Sequence, residues 1–199
     1  TLSLLTDIVV FRLSAPLALP GVTISNATPT VGSQVMMLGN GSTQSGSPTF
    51  WDRTEIPGDG NDTWVVTTEA FSNIAGYQTT GAREIRWGEN LVNVYNFTAN
   101  IGHGHVISFS TQFDAVGLPQ EAQAGSGDSG GAVFSFNGSS WELSGMMYAV
   151  STYETQPGGA DTAVFGVETA IADLSYYRTQ ILTIIPEPST AALAMLGGL

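Results

Sequence analysis

The residues best suited to chemistry stand in one short glycine-rich run, Gly125-Ser-Gly-Asp-Ser-Gly-Gly-Ala132. Glycines there let the backbone bend tightly and aim several N–H groups at one point. Ser129 would supply a nucleophilic hydroxyl, and the surrounding amides would catch the oxyanion formed when it attacks a carbonyl. The same composition also makes hairpin turns, but a strand-like run, Ala132 to Phe136, follows at once. A second candidate is Asp7, a carboxylate heading the apolar run Asp7-Ile-Val-Val-Phe-Arg-Leu13. Taken alone, Asp7 reads as a turn or edge residue.

Other constellations carry less. His103 and His105 flank Gly104 ahead of Val106 to Ser110, with Asp114 beyond. Alternating histidines on one strand face can bind a metal, but a polar strand end is the simpler reading, so no metal or cofactor is assigned. Asp59-Gly-Asn-Asp-Thr63 offers oxygen ligands yet lacks the glycine and bidentate glutamate of a calcium loop, and reads as a surface turn. Five Asn-x-Ser/Thr triplets, from Asn26, Asn40, Asn61, Asn96 and Asn137, follow from an Asn/Thr/Ser-rich composition.

The elements that must position Ser129 are short. The 199 residues are 42% hydrophobic and include 24 glycines, enough for one ordinary domain with a packed core. Runs rich in β-branched and aromatic residues recur between Gly/Ser/Asn turns: 7–13, 34–38, 63–68, 90–97, 106–110, 131–136, 141–148 and 162–167. That pattern predicts an all-β barrel or sandwich. One helix is predicted near 167–184, with Ile171, Leu174, Tyr177, Arg178, Ile181 and Leu182 on one face. All five basic residues are arginine and the net charge is −12, which excludes nucleic acid as a partner, because phosphate binding needs clustered cations. The absence of cysteine excludes disulfides, thiolate zinc sites, iron–sulfur clusters and a cysteine nucleophile.

Gly127-Asp-Ser-Gly-Gly131 resembles the active-site signature of chymotrypsin-like (trypsin-family) serine proteases. Thr6 to Leu17 is similar to that family's strand bearing the catalytic aspartate, and the two matches stand in the family's order. Val31 to Gly39 resembles the opening strand of the second barrel, and Trp141 to Tyr148 the strand beside the substrate. Val164-Phe165, with a helix to follow, resembles the end of the fold. The resemblance covers about residues 6–183. It implies a double β-barrel of which this chain holds the last strand of barrel one, barrel two and a C-terminal helix.

Carried over residue by residue, the resemblance makes Ser129 the nucleophile and Asp7 the carboxylate that orients the histidine. The amides of Gly127 and Ser129 become the oxyanion hole. Asp128 becomes the residue that shapes it, in many members by pairing with a new N-terminal ammonium. Gln123 takes the position that floors the specificity pocket, with Tyr148 beside it; an acidic floor, and trypsin-like preference for Arg or Lys, is not supported. Glu121 and Asp161, near the pocket walls, read as solvated loop carboxylates. The family's histidine precedes the aspartate, which places the base upstream of Thr1, and neither His103 nor His105 matches it in chain order. Protein or peptide is the implied substrate.

At the other end, Pro186-Glu-Pro188 followed by Ser189, Thr190 and an apolar run to Leu199 resembles the PEP-CTERM sorting signal of Gram-negative bacteria. It implies residues 184–199 as a sorting segment, truncated before its terminal arginines, an exosortase as processing partner, and export to the cell surface or extracellular matrix. The run is too short to span a bilayer. Thr1 to Ala18 lacks a basic start and carries Asp7 and Arg12, so it reads as a strand and not as a signal peptide. Two other readings remain open. One is an inactive protease-like module binding extracellular polysaccharide or protein; the other is an acidic surface or matrix structural protein.

Overall fold

The computed structural model describes residues 6–11, 13–14, 21–58, 60–100, 102 and 104–184. Pro186, Glu187 and Pro188 lie outside the described residues, as do His103, Asp59 and Arg12. The protein is all-β with one C-terminal helix. Its strands are β1 (Gln34–Gly39), β2 (Ser42–Gln44), β3 (Thr49–Thr54), β4 (Thr63–Thr67), β5 (Ile74–Arg83), β6 (Arg86–Asn100) and β7 (His105–Gln112). They continue as β8 (Ala132–Phe136), β9 (Trp141–Val150), β10 (Thr162–Val164) and β11 (Glu168–Asp173), and α1 covers Leu174–Ile184.

Six strands close an antiparallel barrel in the order β1-β6-β7-β11-β9-β8. Its interior is filled by Val35, Met37, Val92, Phe109, Val133, Met147 and Ile171, contributed by every one of the six. Full closure leaves no unpaired edge in this sheet. β6 is long enough to serve both ends of the barrel because it bulges twice, between Val92 and Val94 and between Val94 and Phe97. Asn96 takes a φ of 57° there, a left-handed conformation that asparagine tolerates better than most residues.

β2 to β5, which lie between β1 and β6, join β10 in a second sheet, of which the residue pattern revealed only β4 and β10. Its order is β10-β5-β3-β4, with β2 paired to β5. The sheet packs Trp51, Val164 and Val167 against Trp64, Ile74 and Tyr153. A part-buried ion pair, Arg53–Asp62 at 2.5 Å, joins β3 to the residue before β4, with the guanidinium 4.6 Å from the centre of the Tyr153 ring. Asp62 also accepts the Ile56 N–H, so its charge is matched on more than one side.

The helix predicted over 167–184 is half strand. Thr169 and Ile171 alternate into the barrel as part of β11, a period of two, and only from Leu174 does the burial repeat become helical. Asp173 makes the switch. It is almost fully buried, and its Oδ1 accepts the Ser175 N–H at 2.9 Å and the Ser175 hydroxyl at 2.6 Å, while Oδ2 accepts the Thr28 hydroxyl. That is an N-cap, and it also ties residue 28 to the helix start. Leu174, Tyr177 and Ile181 then pack over Ile8, Val10, Ile24, Ile107, Leu143 and Met146, and the Tyr177 hydroxyl accepts the Ile107 N–H at 2.9 Å.

Residues 6–11, expected as a strand, join no ladder among the described residues. Their side chains still alternate as a strand's do. Ile8 and Val10 sit against the barrel and α1, whereas Val9 and Phe11 are 80% and 73% exposed. Both faces of the run are apolar, so one hydrophobic face is left in water.

Candidate active site

The loop from Phe113 to Gly131 joins β7 to β8 and carries Ser129 at the barrel rim. Hydrogen bonds to β9 clamp its end: the Gly130 N–H donates to the Met147 carbonyl at 2.8 Å, and the Met147 N–H donates to the Gly131 carbonyl at 2.9 Å. The Asp128 N–H closes a tight turn on the Gly125 carbonyl at 3.0 Å. Gly127 and Gly130 take φ of 98° and 82°, conformations that a β-carbon disfavours. At Gly131 the need is close approach, because a β-carbon would fall 2.7 and 2.8 Å from the backbone carbonyl oxygens of Leu38 and Asp128.

Asp128 holds this loop to the rest of the barrel. Its Oδ1 accepts the Gly41 N–H at 2.6 Å and its Oδ2 the Gly125 N–H at 2.9 Å. Gly39 and Gly41 are glycines because a β-carbon at either would overlap the Asp128 carboxylate. One residue further on, the Ser42 N–H and hydroxyl both donate to the Ser126 carbonyl, at 2.9 and 3.2 Å. The end of β1 and the start of the inserted sheet therefore brace the loop. The residue pattern missed this brace; the glycine pair around Asn40 was its only trace.

Ser129 is exposed, and its hydroxyl makes no hydrogen bond among the described residues. The amides of Gly127 and Ser129 are likewise undonated there, two free N–H groups on either side of Asp128. Ser129 shares a cavity of about 240 Å3 with Asp7, Ile8, Val106, Tyr148 and Ala172. Asp7 comes there because Ile8 and Val10 anchor the N-terminal run on the barrel wall. Tyr148, on β9, is hydrogen-bonded to the Ser108 hydroxyl at 2.8 Å. Burial pushes its pKa up, the Ser108 bond partly offsets that, and the charges of Tyr177 and Asp7 add to it. Tyr148 is thus a neutral phenol on the cavity wall and a poor proton acceptor at neutral pH.

A second, larger cavity of about 500 Å3 lies on the other side of the loop. Gln123, Asp128, Tyr77, Phe113 and Phe165 line it. Phe165 stacks on Phe113 with centroids 4.7 Å apart and meets Tyr77 edge-on at 5.9 Å. The Gln123 Oε1 is buried without a hydrogen-bond partner among the described residues. Ser129, Asp7 and Tyr148 therefore share one cavity, and Gln123 and Asp128 line the other. Glu121 is occupied by its own turn, accepting the Leu118 N–H at 2.9 Å. Asp161 is exposed in the short 3-10 helix Gly159–Asp161, and His105 and Asp114 are exposed at and just beyond the ends of β7.

Among known proteins, no family model matches the chain and no curated relative matches it. The chemistry open to the site rests on its geometry: an exposed hydroxyl, two free amides beside it, and a carboxylate across a small cavity.

Proposed function

We propose that the protein is a serine endopeptidase of chymotrypsin-like type, exported by a Gram-negative bacterium, in which Ser129 is the nucleophile. The observation that carries this reading is the meeting of Asp7 and Ser129, from opposite parts of the chain, on one cavity beside the two undonated amides of Gly127 and Ser129. The reading requires a histidine that the resemblance places before Asp7 in chain order, and that imidazole would occupy the cavity of about 240 Å3 that Asp7 and Ser129 both line. The Ser129 hydroxyl gives its proton to that imidazole as its oxygen bonds to the peptide carbonyl carbon. The carbonyl electrons move onto oxygen, where the Gly127 and Ser129 amides stabilise them. The imidazolium then protonates the leaving amine, and water repeats the sequence on the acyl-enzyme. Asp7 keeps the imidazole in the tautomer that accepts a proton from serine. Processing at Pro186–Pro188 by an exosortase belongs to the same proposal, supported by the Pro-Glu-Pro wording ahead of an apolar run.

Fluorophosphonate labelling of the full-length protein tests the activated serine. Wild type should label, and Ser129→Ala should not. Asp7→Asn should label about 10^4 times more slowly, the loss typical of triads with a misdirected histidine. Full-length protein that does not label would favour the inactive binding module, and labelling that survives Ser129→Ala would remove the assignment.

A further inference from the structure

We infer that Arg83 is a specificity-determining residue that binds a carboxylate carried by the peptide substrate next to the Ser129 site. The inference rests on the reading of Ser129 as an acyl-transfer nucleophile and adds to it a substrate class. Arg83 ends β5, in register with Ser42, the residue that grips the Ser126 carbonyl. That pairing lays its guanidinium against the nucleophile loop. A β-carbon on Gly127 would fall 2.9 Å from the guanidinium carbon and 3.1 and 3.2 Å from two of its nitrogens.

The charge on Arg83 is not used internally. Arg53 is paired with Asp62 and Arg86 with Glu84, whereas no carboxylate lies within 4 Å of the Arg83 guanidinium among the described residues. Asp128, the acid of the same loop, has one oxygen on the Gly41 amide and the other on the Gly125 amide. A planar fork of donors on an exposed turn, with no anion of its own, suits a carboxylate. Gly127 is two residues from Ser129, so a group held by Arg83 lies about 7 Å of chain from the attacking oxygen's residue. The molecule carries a net charge of −12 and repels anions at long range. That field is screened beyond about 8 Å at physiological salt, so selection has to come from contact.

The carboxylate has two possible sources, an acidic side chain flanking the scissile bond or the terminal carboxylate of a short leaving group. The test uses full-length protein and internally quenched peptides in which one Glu is moved through three positions on each side of the bond. Gln and Lys versions are run beside them, together with peptides ending in a free acid or an amide. At one position wild type should cleave the Glu peptide with a kcat/KM about five- to tenfold above the Gln peptide, as for a partly exposed charged contact. Arg83→Gln should bring that ratio to about one, and Arg83→Glu should turn the preference to Lys. The ratio divides out any general loss of activity or folding in the variants. A free-acid preference that vanishes in Arg83→Gln assigns the source to the chain end. A wild-type ratio of one at every position and at the chain end, or a preference that survives Arg83→Gln, overturns the inference. If wild type also fails to label with fluorophosphonate, the nucleophile reading falls with it; if it labels normally, only the role of Arg83 does.

Discussion

Asp128 is the residue on which the geometry of the loop turns, because one side chain satisfies amides from two separate segments. A carboxylate has acceptor sites on both oxygens, and here each is matched to an N–H. Asp128→Asn keeps the shape but sets an NH2 group against one of those amides. One hydrogen bond is lost and two donors face each other, a cost of about 1–3 kcal/mol where the group is partly buried. The loss falls on the turn that aims the Gly127 and Ser129 N–H groups, so fluorophosphonate labelling of full-length Asp128→Asn should slow by about 10- to 100-fold. Its urea midpoint should shift only modestly. Labelling at the wild-type rate would mean that the loop keeps its shape without this clasp.

At the scale of elements, the join between β11 and α1 is the most informative. A run with apolar residues at Val167, Ile171, Leu174, Ile181 and Leu182 fits a helical period closely enough to be read as one helix. The barrel claims its first part as strand, because Ile171 is needed in the interior beside Phe109 and Met147. Asp173 then supplies the cap that starts the helix. Asp173→Ala removes it and leaves the Thr28 and Ser175 hydroxyls without their acceptor. The expected loss is about 2 kcal/mol, at the upper end for a cap because the site is buried. Equilibrium urea unfolding, with far-ultraviolet circular dichroism to follow the helix, checks it; a change below about 0.5 kcal/mol would place the origin of α1 elsewhere.

For the molecule as a whole, two tyrosines link packing to pH. Burial raises the pKa of both Tyr148 and Tyr177 above 10.0, the ordinary tyrosine value. Folding therefore favours the protonated phenols. Stability from this source is complete below about pH 10 and declines as pH rises through the higher folded-state values. Urea midpoints should fall as pH rises above about 10, and those of Tyr148→Phe should fall less steeply. A midpoint that holds level there in wild type would contradict the linkage. Both residues sit where outer layers meet the barrel, Tyr148 on the cavity wall facing the 6–11 run and Tyr177 on the buried face of α1, so the alkaline transition should loosen those layers first.

Local chemistry was legible in the order of residues. Short β-branched runs between turn residues announced an all-β chain, and the Gly-Ser-Gly-Asp-Ser-Gly-Gly run announced a tight turn, since both depend on conformational preferences a few residues long. Of the inserted sheet, β4 and β10 were legible as β-rich runs, but β2, β3, β5 and their pairing were not. β5 reads as a mixed polar stretch, and it is held by pairing with β2 and β3 and with β10, more than eighty residues further along, where Gly76 lets the Ala163 backbone come close. Nor could the sequence place a cation against the Ser129 turn. Arg83 meets Gly127 only because β2 and β5 pair in one register and the Ser126 carbonyl is bonded to that pair. Residue type and spacing decide which groups are capable of chemistry; which of them face one another is decided by long-range strand pairing, and that depends on burial summed over the whole barrel.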